Sequence, residues 1–96
     1  MKGTEKQIKW AEDIRGKMAA KKDTNAVKLS LMARAKNPED KASLMRYMQQ
    51  HGPMTDQAIE AMMDSVLAND EASWWIEQQG KSLDWLTVEA FFAGRL

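Results

Sequence analysis

"TDQAIEAMMDSVL", residues 55–67, carries the clearest periodic pattern in the chain and decides the fold class. Ile59, Met62, Met63, Val66 and Leu67 recur at steps of three and four, which puts them on one face of an α-helix. Thr55 is a cap residue, and Met54 before it can pack on Ile59 as a hydrophobic staple. On the opposite face Asp56, Glu60 and Asp64 follow one another at steps of four, where like charges repel mildly. Two readings of that strip stand: a solvated face, or an acidic surface that docks on a basic groove of a partner protein.

The same grammar extends in both directions. Toward the N-terminus, "TEKQIKWAEDIR" (4–15) opens with a capping box of Thr4 and Gln7, so a helix begins at Glu5. Ile8, Ala11, Ile14 and Met18 form its buried stripe, and Trp10 stands at the stripe's margin. Glu5, Lys9, Asp13 and Lys17 alternate in sign at steps of four, a salt ladder on the solvated side. Asp23 or Thr24 caps a second helix carrying Val27, Leu31 and Ala35, with Met32 beside them. Asn37-Pro38-Glu39-Asp40 starts a third, with a cap, a proline that needs no N–H, and acids in the first turn. Leu44, Met45, Met48 and His51 make its stripe, and Gly52-Pro53 stops it.

Beyond residue 67, Asn69 or Asp70 is expected to open a fifth helix through "EASWWIEQQ", closed by Gly80. After "KSLDW", Thr87 is expected to cap a last short helix, with Leu86 and Phe91 as its staple. No segment alternates for long enough to predict a strand. The expectation is all-α: a compact single domain, residues 1–96, of five or six short helices, with stability of about 5–14 kcal/mol for this length.

Charge is unevenly distributed. Residues 1–50 hold twelve Lys/Arg against six Asp/Glu, and residues 51–96 hold two against eight. Either the two halves fold against each other, or they form separate basic and acidic docking surfaces. The chain has no cysteine, which excludes disulfides, thiolate metal sites and thiol nucleophiles. No apolar run approaches the roughly 20 residues of a membrane span, and the N-terminus lacks the apolar core of a secretory signal. A cytoplasmic protein with no membrane partner is expected.

Residues able to do chemistry are sparse. His51 is the lone histidine and lacks a neighbouring nucleophile and orienting acid, so it reads as a helix-terminal residue. No phosphate loop, nucleophile elbow or zinc signature occurs, and no catalytic, cofactor or metal site is expected. The tryptophans say more. Trp74 and Trp75 are adjacent, hence about 100° apart around a helix; Trp75 points inward with Ala72 and Ile76, and Trp74 shares the outer side with Glu71. A partly exposed tryptophan with a polar rim is a common interface hot spot, so Trp74 leads the contact candidates. The partner-binding set is Trp74, Asp56, Glu60, Asp64 and Glu71. The alternative is nucleic-acid binding through Lys2, Lys6, Lys21 and Lys22, although a pI of 6.6 is low for a dedicated binder.

Thr4 to Gln7, Trp10 to Glu12, Ile14 and Arg15, joined to Trp74–Glu77, resemble a motif pair found in small helical proteins of bacteria, phages and plasmids. That group opens with T/S-E-K-Q-x-x-W/Y-A-E-x-I-R and carries W-W-I-D/E downstream. The resemblance implies a scaffold in which the first and fifth helices pack together, and a mobile-element setting. Arg15 has no assigned place in that scaffold, and Glu71 and Glu77 on the fifth helix are its candidate salt-bridge partners. Two functional classes follow: a non-enzymatic protein-interaction module, in concrete form an anti-CRISPR-like inhibitor of a host defence complex, or a small nucleic-acid-associated accessory protein. A homodimer pairing basic half to acidic half is also compatible with the charge pattern.

Overall fold

The computed structural model describes residues 1–96 throughout and contains six helices: α1 (Glu5–Ala20), α2 (Thr24–Arg34), α3 (Pro38–His51), α4 (Asp56–Leu67), α5 (Ala72–Glu77) and α6 (Leu83–Phe92). The capping box of α1 is present: Gln7 N donates to Thr4 Oγ1 over 3.2 Å, and Thr4 N donates to Gln7 Oε1 over 2.9 Å. Asp23 is the cap of α2, its Oδ1 accepting from Asn25 N at 2.9 Å. Asn37 caps α3 through Glu39 N at 2.9 Å, and Thr55 caps α4 through Ala58 N at 3.1 Å. Gly52 ends α3 at φ 87°, a conformation other residues rarely adopt.

Two helix starts differ from expectation. Asn69 does not open α5; its Oδ1 accepts from Glu71 N at 2.9 Å in a turn, and the helix begins only at Ala72. The reason is the N-terminal segment, which occupies this corner. Lys2 N donates to Asp70 O over 2.7 Å and Ala72 N donates to Lys2 O over 2.9 Å, a single bridge that holds Glu71 extended. Gly3, at φ 147°, passes so near that a Cβ there would stand 2.9 Å from Ala72 Cβ. Thr87 does not cap α6. Ser82 does, with Oγ accepting from Trp85 N at 3.2 Å, while Thr87 is fully buried inside the helix and donates to Leu83 O over 2.7 Å.

One apolar cluster holds the domain together. It takes Ala11, Ile14 and Met18 from α1, Val27 and Leu31 from α2, and Ile59, Met62, Met63 and Val66 from α4. Ala72 and Trp75 of α5 and Leu83, Leu86 and Val88 of α6 complete it. α1 packs along α5, while α2 and α4 both pack against α6. The α3 stripe is a correction: Leu44 and Met48 are only half-buried, Met45 and His51 are exposed, and the helix adds nothing to the core. It is tied on by Tyr47, edge-on to Phe91 at 5.1 Å, and by Asp40, which accepts from Arg34 Nε at 3.0 Å.

The two charged halves fold against each other. Of eight ion pairs, six join residues 1–50 to residues 51–96: Met1 to Asp70, Lys2 to Glu71, Lys22 to Glu60 and Asp64, Lys28 to Asp56, and Arg34 to Glu89. Within the α1 ladder only Lys17 and Asp13 meet, at 2.9 Å. Arg15 pairs with neither Glu71 nor Glu77; Glu71 takes Lys2 instead, at 3.7 Å.

Candidate functional site: a tryptophan-lined groove

Trp75 is buried because both its ring and its polar handle are accommodated. The indole sits in the core and its Nε1 donates to Asn69 O over 2.9 Å. Trp74, one residue earlier, leans edge-on against it with centroids 4.8 Å apart and stays half-buried. Trp74 and Trp85, the latter from the first turn of α6, both line a groove of about 600 Å³. Trp85 is 46% exposed, and Lys81 lies over its ring with Nζ 5.0 Å from the centroid. Glu77, Glu89 and Arg95 give the groove a charged rim. Its wall at Gln78 is fixed: Nε2 donates to Trp74 O over 3.1 Å and Oε1 accepts from Lys81 at 3.2 Å.

A second groove of about 500 Å³ adjoins the first and shares Lys81 with it. It runs between α1 and the α5–α6 turn, with Trp10, Lys17 and Lys21 on one side and Asp84 on the other. Trp10 is 48% exposed at its edge.

The remaining candidates from the sequence divide cleanly. Asp56 holds Lys28, while Glu60 and Asp64 share Lys22 at 3.1 and 2.6 Å. Their strip therefore forms a clasp between α4 and the α1–α2 corner rather than an unengaged acidic face. The hydrogen bonds to Asp64 and then Glu60 raise the Lys22 pKa above its ordinary value. Asp40, then Glu89, do the same for Arg34. Glu71 and Lys2 neutralise one another in the N-terminal bridge. Of the four lysines proposed for nucleic acid, Lys6 and Lys21 alone remain exposed without an ion-pair partner. Among the partner-binding candidates, Trp74 lines one of the larger grooves.

Trp85 and Lys81 line this groove and were not among the candidates that periodicity singled out. Their i, i+4 spacing was the available signal, a cation one turn from an aromatic ring. His51 is exposed and stacks on Tyr47 at 4.6 Å. No group of three or more His, Asp or Glu side chains gathers in a way that could hold a metal ion, and no helix is long and apolar enough to cross a membrane.

No family model matches the chain, and neither a curated protein nor a solved structure is significantly similar to it.

Proposed function

We propose that this protein is a non-enzymatic docking module that engages a partner protein through the Trp74–Trp85 groove. The observation that carries the reading is that two partly exposed indoles line one cavity, with Lys81 and Arg95 among its other lining residues. Tryptophan and arginine are enriched among the residues that dominate binding energy in protein interfaces, and tryptophan in particular buries a large area at low entropic cost. The nucleic-acid reading is weaker, since Lys2 and Lys22 are already held by Glu71, Glu60 and Asp64.

The mobile-element resemblance gives the docking module its concrete form: a blocker of a host defence complex. In that form the protein acts by occupying a surface that its target needs, and no covalent step is required of it.

The test is affinity capture from nuclease-treated host lysate, using the wild-type protein and the double variant Trp74→Ala/Trp85→Ala. A stoichiometric partner held by the wild type and lost by the variant is the expected result. A partner that disappears with nuclease treatment, or that the variant keeps, overturns the reading.

A further inference from the structure

α5 carries Trp74 but has little of its own to hold it. The helix has six residues, its N-cap residue Glu71 makes no side-chain capping bond, and no acid lies in its first turn. A helix so short is not stable alone in water and takes its order from what packs on it. Trp75 ties its inner face to the core, with Nε1 donating to Asn69 O over 2.9 Å. Its N-terminal end is closed from the far end of the sequence. Ala72 N, the first N–H of the helix, donates to Lys2 O over 2.9 Å, and Lys2 N donates to Asp70 O over 2.7 Å. The backbone of residue 2 thus supplies the cap that the helix's own sequence lacks.

That cap adjoins the tryptophan groove. The bonds from Lys2 fall at Asp70 and Ala72, and the groove is lined by Asn69 just before them and by Trp74 just after. The N-terminal segment is also shaped for its seat. Gly3 adopts φ 147°, and a Cβ there would stand 2.9 Å from Ala72 Cβ and 3.1 Å from Gln7 Oε1. Met1 is sealed alongside, its side chain 2% exposed and its amino group 3.1 Å from Asp70 Oδ1. Thr4, the next residue after Gly3, is fixed by the capping box of α1, which sets the direction in which the segment leaves that helix. The side chain of Lys2 contributes little, since its ion pair with Glu71 spans 3.7 Å and both partners are more than half exposed.

We infer that residues 1–3 are a positioning strap for the tryptophan groove. Seated, they hold the start of α5, and through it Trp74, in the docking geometry; unseated, they release it. The inference rests on the docking reading of that groove and adds a means of controlling it from outside its own lining.

Amide hydrogen exchange and 19F spectra of the 5-fluorotryptophan-labelled full chain, recorded well below the melting temperature, test the strap without any partner. Gly3→Ala sets a methyl against Ala72 at a φ that side chains rarely adopt. Lys2→Pro removes the N–H that reaches Asp70 O, and Lys2→Met removes only the charge. In the first two variants the Ala72 amide is expected to exchange about tenfold faster or more and the Trp74 fluorine to move, while core amides such as Leu31 and Met63 keep their rates. Lys2→Met should match the wild type. Unchanged Ala72 and Trp74 in both backbone variants would overturn the inference. So would acceleration of all amides together, the mark of a plain loss of stability.

The same variants then enter the capture experiment beside Trp74→Ala/Trp85→Ala. Loss of most of the captured partner with Gly3→Ala and Lys2→Pro is expected. If those two capture as the wild type does while the double tryptophan variant fails, the docking reading stands and the strap's hold on it is overturned. If the double tryptophan variant also captures, the docking reading falls and the inference falls with it.

Discussion

Lys22 Nζ lies 2.6 Å from Asp64 Oδ1, and that contact fastens the end of α1 to the middle of α4. Glu60, one turn earlier, takes the same ammonium at 3.1 Å. Two carboxylates four residues apart would repel in an isolated helix, so the lysine turns an unfavourable pair into a clasp. Replacing it with methionine keeps the stem and removes the charge. Lys22→Met is expected to lower the melting temperature at neutral pH. The folded-state pKa of Lys22 is raised, so its contribution is present below the ordinary value of 10.5 and is lost as pH rises through the folded value. Melting curves of the two proteins should therefore converge in strong alkali. Equal stability at neutral pH would show that the clasp contributes nothing.

The start of α6 separates Ser82 from Thr87. Ser82→Ala removes the side chain that accepts from Trp85 N and is expected to cost about 1 kcal/mol, as lost caps do. Thr87→Val preserves volume in the core and gives up one hydrogen bond, to a carbonyl inside the helix, for a cost of about 1 kcal/mol or less. Urea denaturation measures both. A Ser82 variant as stable as the wild type would contradict the placement of the cap.

Trp75 and Trp85 should behave oppositely. Trp75→Ala empties a fully buried site and leaves Asn69 O without its donor, so about 3–5 kcal/mol of stability should be lost. Trp85→Ala removes a half-exposed ring and its contact with Lys81, and about 1 kcal/mol or less is expected. Equal losses in denaturant titrations would make Trp85 a structural residue and remove half of the proposed groove.

These contrasts follow the limits of what sequence carries. The caps at Thr4, Asn37 and Thr55 were legible because each is a local event between residues two or three apart. The α4 face was legible because one side is apolar and the other charged, and Ile59, Met62, Met63 and Val66 are indeed buried. The start of α6 was not, because Leu83, Leu86, Val88, Phe91 and Phe92 surround that helix and leave no polar face to mark its period. The α3 stripe had the correct period, yet periodicity cannot say whether a face meets a core or is left open. Pairing of the charged halves depended on which helices become neighbours, and that is a tertiary fact.

Trp74 was found by its offset from Trp75, a helical angle that sequence supplies. Trp85 was not, because its significance arises only where α5 and α6 bring the two indoles to one groove. The fifth-helix start was missed for a similar reason: the competing bridge comes from Lys2, some 70 residues away in the chain.

The measurement closest to the central claim is 19F NMR of the 5-fluorotryptophan-labelled protein, recorded alone and with the partner captured from lysate. The four tryptophans give four reporters, assigned by single Trp→Phe variants. The docking account predicts that Trp74 and Trp85 shift and broaden on binding while Trp75, sealed in the core, does not. Movement of Trp10 alone, or a partner that binds with all four resonances unmoved, would contradict it.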